Sequence, residues 1–258
     1  IDVCPVQIQG PLSEDLMAKL AGEELREIPY YGLMETNIEG ADVVISQTGF
    51  TGEKGYEIYV RDAHENAEIV WNAVLEAGKE FGLMVIAPAH HRRIAAGILS
   101  WGQDLDLETS PFQVNLSYQV PRNKEADYIG KEELERQREV IDAGDFPFKM
   151  RMVGLTLGGK EITDYAPDFW LIADTEGNDM GYVTSPWWSP ELNTNIALGW
   201  VPWSSSEIGT KLLVRLPDEY SESSGVPVEG EIVDVPFRES VTPNKREVQK
   251  EKGLDYAD

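Results

Sequence analysis

The 258-residue sequence has one cysteine, no long apolar run, and fewer than half as many basic as acidic residues. The single Cys4 excludes an internal disulfide framework and suits a reducing compartment, so we expect a cytoplasmic protein. No apolar stretch approaches the roughly 18–20 residues that a membrane-spanning helix requires. The net charge of −24, from 46 acidic and 22 basic residues, repels nucleic acid and anionic membranes. We therefore expect neither of them as a partner.

Several common site signatures are also absent. The stretch from Ser46 to Val60, SQTGFTGEKGYEIYV, suggests a phosphate loop, but Lys54 is followed by glycine, tyrosine and a predicted strand instead of a helix. Neither the dinucleotide pattern G-x-G-x-x-G nor a nucleophile elbow is present. His90 and His91 are adjacent, so they diverge by about 100° around a helix and cannot bind one metal ion together. We expect no metal site.

The apolar pattern divides the chain into two modules. Residues 1–148 combine strand-like runs with helical periodicity, which predicts an α+β domain. Residues 149–238 hold six short strand-like runs separated by turns, which predicts an all-β barrel or sandwich. Residues 239–258 are charged and nearly without large apolar side chains, and we expect a surface arm or disorder there.

Within the first module the predicted hairpin centres on Gly55, which we expect to take a positive φ, and Asp62 is predicted to cap the following helix. The predicted strands of this module are Asp2–Gln9, Val43–Gln47 and Tyr56–Val60. The predicted helices begin near Ser13, run from Asp62 to about Glu80, and cover Ala89–Leu99 and Lys131–Asp142.

The second strand of the hairpin alternates. Tyr56, Ile58 and Val60 point to one face, which forms a natural core face. Glu57 and Tyr59 then share the opposite face. The residues alone leave two alternatives for this pair, a solvated surface or the lining of a cavity.

Five segments in order resemble motifs of the folate-dependent aminomethyltransferase family, which includes the glycine cleavage T-protein and dimethylsulfoniopropionate demethylase. The resemblance covers about residues 1–238. It rests on Ser46–Glu57 (SQTGFTGEKGYE), Arg93–Phe112 (RIAAGILSWGQDLDLETSPF), Tyr128–Glu132 (YIGKE), Gly181–Ser185 (GYVTS) and Asn195–Gly199 (NIALG).

The resemblance implies a ferredoxin-like, split α+β folate-binding module followed by a Greek-key or jelly-roll-like barrel, with tetrahydrofolate as cofactor. It implies that Glu57 binds the pterin ring, whose adjacent N–H groups suit a carboxylate. Arg93 is implied either as a partner for the anionic tail of folate or as half of a structural ion pair. Aromatic residues complete the implied folate site or a polar-aromatic cluster beside it: Tyr59, Tyr30, Tyr31, Tyr118 and Trp101.

The implied reaction moves a methyl or aminomethyl unit from a small donor to N5 of tetrahydrofolate. Ala89 occupies the position of an arginine that T-proteins use, which favours a demethylase-like branch over glycine cleavage. Two alternatives stay open: a non-catalytic folate-binding protein, although its signature cysteine is missing beside Tyr56, and the folate module of a flavin-dependent dehydrogenase. The catalytic aspartate of the family lies in an N-terminal segment without a counterpart here. We therefore name no catalytic residue and expect a missing N-terminal segment or a partner chain to complete the enzyme.

Overall fold

A computed structural model describes residues 2–87, 90–122 and 124–238. Ala89 and the predicted tail at 239–258 lie outside these ranges. The described residues form two compact units, 2–87 and 90–238, so the segment 90–148 groups with the barrel. In these ranges no helix is both long and apolar enough to cross a membrane.

The first unit is an antiparallel sheet with two helices. Its strands are β1 (Val3–Gln9), β2 (Leu33–Ile38), β3 (Ala41–Ser46) and β4 (Gly55–Arg61), and its helices are α1 (Ser13–Ala21) and α2 (Ala63–Gly78). The strand order is β1-β4-β3-β2, and every neighbouring pair is antiparallel. The long crossover from β1 through α1 to β2 leaves room for β4 to return between β1 and β3.

The core of this unit lies between the sheet and the helices. Tyr56, Ile58 and Val60 on β4 are each 0% exposed, which confirms the predicted core face of that strand. They pack with Leu16 and Met17 of α1 and with Val70 and Val74 of α2. The opposite face of the sheet carries exposed apolar side chains, among them Val3 and Leu33. Glu57 and Tyr59 belong to that second face.

Three local details of the first unit differ from the sequence prediction. The positive φ of the hairpin falls on Gly52, at +73°, and not on Gly55. Asp62 has a φ of 47° and makes no side-chain cap; its backbone carbonyl accepts from the Asn66 N–H at 3.0 Å instead. Strand β2 is not predicted by the sequence, because its residues LMETNI place three polar side chains in a row and do not alternate between polar and apolar. Helix α2 ends at Gly78, and a 3₁₀ turn (Lys79–Phe81) carries the chain on to Gly82, which has a φ of 67°.

The second unit is a closed antiparallel barrel with two helices. The helices are α3 (His90–Ala95) and α4 (Lys131–Asp142), and the strands are β5 (Met150–Leu157), β6 (Trp170–Ala173), β7 (Asp179–Ser189), β8 (Thr194–Pro202), β9 (Lys211–Val214) and β10 (Val228–Val233). The barrel order is β10-β5-β8-β7-β6-β9. Strands β6, β7 and β8 form a meander, and β5 lies beside β8, which is a Greek-key arrangement.

Helix α3 explains why the segment from 90 onward belongs to the barrel. Ile94 and Ala95 of α3 and Val114 pack on Met152 and Leu198 of the barrel wall. The helix is shorter than predicted because Gly97, two positions after its last residue, takes a φ of 68°. The predicted fold class, an α+β module followed by a Greek-key barrel, is confirmed.

Candidate functional site

The candidate site lies on the helix-free face of the first sheet. Antiparallel pairing places Glu57 of β4 between Ser46 of β3 and Gln7 of β1. Directly opposed residues of neighbouring strands point to the same face. Glu57 and Ser46 are half-buried and Gln7 is exposed, so this row of polar side chains is accessible from solvent.

The Glu57 carboxylate is held through one of its two oxygens. Its Oε2 accepts from the Thr48 hydroxyl and from the Tyr59 hydroxyl, the latter at 3.1 Å. Within the described residues Oε1 accepts no hydrogen bond. A carboxylate has about four acceptor positions. The arrangement therefore fixes the group and leaves Oε1 open to a donor from outside the protein.

The two neighbouring hydroxyls are both protonated donors near neutral pH. Burial raises the pKa of Tyr59, and the negative charge of Glu57 and its hydrogen bond raise it further. Ser46 Oγ lies 2.6 Å from Thr48 Oγ1, and either atom can donate in that pair. Because Thr48 donates to Glu57, Ser46 donates to Thr48, which gives a chain of hydroxyls ending at the carboxylate.

The loop before β4 is fixed by Gln9 at the end of β1. The Gln9 side chain accepts from the Thr51 hydroxyl at 2.7 Å and donates to the Thr48 carbonyl at 3.4 Å. A Cβ on Gly49 or Gly55 would collide with this same amide. These glycines allow close approach of the loop to Gln9, and the loop in turn places Thr48 against Glu57.

The pair Tyr30 and Tyr31 lies at the same end of the sheet. The Tyr31 N–H donates to the Gln47 carbonyl at 3.2 Å, one step beyond the pairing of β2 with β3. The two tyrosine rings lie 4.3 Å apart, and Tyr31 is 52% exposed with a φ of 65°. The structure thus brings four predicted residues to one end of the sheet. Tyr30 and Tyr31 lie beside β3, and Glu57 and Tyr59 lie on the neighbouring strand β4.

Arg93 lies in the second unit and is 1% exposed. Its Nη1 donates to Asp104 at 2.7 Å and to the Ile98 carbonyl at 3.1 Å. Its remaining N–H groups donate to His90 Nδ1, Gln103 Oε1 and Ser185 Oγ. A guanidinium has five N–H donors, and all are used inside the protein. This placement favours the structural ion pair over a contact with ligand.

The other two predicted residues of the second unit sit in irregular segments. Trp101 is 64% exposed and forms a bridge with Leu105. Tyr118 is half-buried in a short 3₁₀ turn, and its hydroxyl accepts from Gln119 at 3.3 Å. In the described ranges no three His, Cys, Asp or Glu side chains cluster as metal ligands would.

The sequence did not reveal three residues, two beside Glu57 and one beside the buried Arg93. Ser46 and Thr48 precede the hairpin in a run of hydroxyl residues, and that run was the available indication. Asp104 is 2% exposed and accepts from Thr184, Ser185 and Arg93, at 2.5 to 2.7 Å. The burial of Asp104 could not be predicted, because the segment around it has neither helical nor strand periodicity.

Known proteins resemble this chain in sequence. The family model of the GCVT N-terminal domain matches residues 1–124, and that of the glycine cleavage T-protein C-terminal barrel domain matches residues 151–237. An aminomethyltransferase of Geobacillus sp. is 32% identical over 83% of this chain and 57% of its own length. A dimethylsulfoniopropionate demethylase of Ruegeria pomeroyi is 34% identical over 84% of this chain and 56% of its own length.

A solved structure shares the fold. The glycine cleavage system aminomethyltransferase T of Bartonella henselae superposes with a TM-score of 0.71 at 23% identity, over 95% of this chain and 62% of that protein. The chain spans less than two thirds of the length of the relatives it matches. Both family models match in order, and together they cover most of the sequence. The chain belongs to the glycine cleavage T-protein family.

Proposed function

We propose that the chain is the folate-binding and barrel part of a tetrahydrofolate-dependent one-carbon transferase. The reaction moves a methyl or aminomethyl unit from a small donor to N5 of tetrahydrofolate, in the cytoplasm. One observation carries the proposal: Glu57 presents a fixed carboxylate whose Oε1 accepts no hydrogen bond from the described residues. Family membership and the names of the relatives support it.

The pterin of folate suits this carboxylate chemically. Its ring N–H and exocyclic amino group point the same way, and a carboxylate accepts such a pair as charge-assisted hydrogen bonds. Oε1 takes one donor directly. Oε2 already accepts from Thr48 and Tyr59, but Thr48 can turn its hydroxyl to Ser46 because either atom of that pair can donate. That reversal frees a second acceptor position for the pterin.

The demethylase-like branch is the specific form that we propose. It rests on Ala89 at the position of the T-protein arginine. The identities to the demethylase and to the aminomethyltransferase, 34% and 32%, are too close to discriminate between the two reactions. With folate bound at Glu57, catalysis would rest on proximity of donor and N5 and on proton management at the leaving group. We propose that a further segment or a partner chain supplies the catalytic acid.

Calorimetric titration of tetrahydrofolate into the 258-residue chain tests the cofactor assignment. We expect saturable binding that Glu57→Ala weakens; a chain that fails to bind tetrahydrofolate, or a variant of unchanged affinity, would refute it. With the enzyme completed by that further segment or partner chain, the donor is identified by formation of methyl- or methylene-tetrahydrofolate from glycine-cleavage, sulfonium, betaine and methoxyaromatic substrates. Product from glycine-cleavage donors alone would replace the demethylase-like proposal with the aminomethyltransferase.

A further inference from the structure

A cavity of about 490 Å³ opens at one end of the barrel of the second unit. The first residues of β5, the last residues of β10 and the turn after β8 meet there. The lining is mixed, with aliphatic side chains from the two strands and charged or polar groups at Arg151, Glu207 and Asp234. Its volume falls within the ~300–1,000 Å³ usual for small-molecule sites.

Arg151 is held firmly at this cavity. Its Nη2 donates to Asn115 Oδ1 at 3.0 Å, and its guanidinium carbon lies 5.2 Å from the ring centre of Trp203. The amide of Asn115 is oriented in turn by its donation to the Met152 carbonyl at 3.3 Å. Phe146 stacks on Trp203 at 4.3 Å. The cation therefore sits on an aromatic platform in a defined orientation.

Arg151 forms no direct ion pair with the described part of the chain. Among the described residues no carboxylate lies within 4.0 Å of it, although the chain has 46 acidic residues for 22 basic ones. Other arginines of the same unit do have such partners, as Arg122 has in Asp142 and Arg215 has in Asp179. Burial lowers the pKa of Arg151, since the charged form loses water, and the charge of Asp234 only opposes that change. A desolvated cation with free N–H donors favours an oxyanion from outside the chain.

The rest of the lining narrows the class of ligand. Glu207 and Asp234 also line the cavity, so its charged groups sum to minus one. That sum disfavours a phosphate dianion and favours a molecule that carries a cationic group beside its carboxylate. A primary ammonium suits two carboxylates better than a quaternary one because it has N–H groups to donate.

We propose that the barrel binds a small α-amino acid, with its carboxylate on Arg151 and its ammonium group on the side of Glu207 and Asp234. The site is independent of the proposed folate contact, and no folate enters its test.

The test is an NMR titration of the 258-residue chain at constant ionic strength, read at the Trp203 indole N–H. The probes are glycine, L-serine and L-methionine, with acetate, glycine betaine and inorganic phosphate as comparisons. We expect at least one amino acid to shift the resonance saturably and to bind more tightly than all three comparison probes. No saturable shift with any amino acid, or phosphate, acetate or betaine binding as tightly, would overturn the proposal.

Variants locate the contacts. Arg151→Gln should weaken amino-acid binding by about tenfold to a hundredfold, the scale of a charged hydrogen bond. Arg215→Gln removes the same charge from a surface ion pair and should leave the affinity unchanged. Glu207→Gln should weaken the amino acid and not acetate. If Arg151→Gln does not fold, Arg151→Lys replaces it, and the loss of the forked donor should still lower the affinity. An amino-acid affinity that ignores both Arg151 variants contradicts the site.

Discussion

Replacement of Glu57 by glutamine isolates the charge of the proposed folate contact. The amide is close to isosteric, and its oxygen can still accept from Thr48 and Tyr59, as Oε2 does in the native protein. The amide nitrogen then stands in place of Oε1 and presents N–H groups to the N–H groups of the pterin. The lost charged hydrogen bond is worth about 1.5–3 kcal/mol, which corresponds to roughly tenfold to 150-fold in the dissociation constant.

The fold should tolerate this variant. Both hydroxyls keep an acceptor and the residue is only half-buried, so we expect the free energy of unfolding to fall by less than about 1 kcal/mol. The pKa of Tyr59 should drop toward its ordinary value, because two of the causes that raise it, the charge and the hydrogen bond of Glu57, are removed or weakened. Carbon-13 labelling of the tyrosines measures that change by NMR, and it shows that the local electrostatics responded.

Calorimetry with tetrahydrofolate decides the outcome. The control is Glu68→Gln, which removes the same charge from an exposed position of α2, the helix on the other side of the sheet. We expect the control to bind like the native chain. If Glu57→Gln also binds like the native chain while the pKa of Tyr59 has moved, the carboxylate does not contact the pterin and the assignment fails.

Three further predictions concern stability. Asp104→Asn leaves the buried Arg93 without its charge partner and should lower the free energy of unfolding in urea by about 3–5 kcal/mol. Asp142→Asn, at an exposed ion pair, should lower it by only about 0–1 kcal/mol. Equal losses of stability would contradict the buried pair. Burial, then the charge of Arg93, lowers the pKa of His90 in the fold. The neutral form stabilises the protein above the unfolded pKa of about 6.5, and this contribution is lost as pH falls through the folded pKa. The dependence of the unfolding free energy on pH between 7 and 5 should therefore be less steep in His90→Gln. An unchanged slope would contradict the buried, neutral His90. Gly55→Ala should destabilise the chain and weaken tetrahydrofolate binding together, because its Cβ meets both the Gln9 amide and the backbone carbonyl of Ile8. A variant with native affinity and stability would show that the loop can move.

The sequence predicts the part of the candidate site that lies on a strand with regular polar–apolar alternation. Alternation along β4 places Glu57 and Tyr59 opposite a core of Tyr56, Ile58 and Val60, and the structure confirms that face. The use of the pair for folate came from the family resemblance, since alternation alone left it between solvent and cavity.

The parts that sequence missed depend on contacts between distant residues. Gly55 is constrained by the Ile8 carbonyl and the Gln9 amide, more than 45 positions away, and not by its own φ. The environment of Arg93 is set by Asp104 and by Ser185 on the barrel wall, which no local period reveals. The amino-acid cavity likewise depends on residues that are far apart in sequence. Arg151 and Trp203 are 52 positions apart, Trp203 and Asp234 are 31 apart, and the closed barrel brings the three together.

The hydrogen bonds between Gln9 and the loop before β4, here called the Gln9 clamp, affect the thermodynamics of ligand binding. A loop already fixed against β1 loses little conformational freedom when a ligand arrives, so the ordering entropy is lost during folding instead of during association. Tetrahydrofolate should then bind with a small entropic penalty and with a fast association rate that needs no loop rearrangement. Removal of the clamp by Gln9→Ala would shift that penalty to the binding step, which would show as a less favourable binding entropy with the pterin contact itself unchanged.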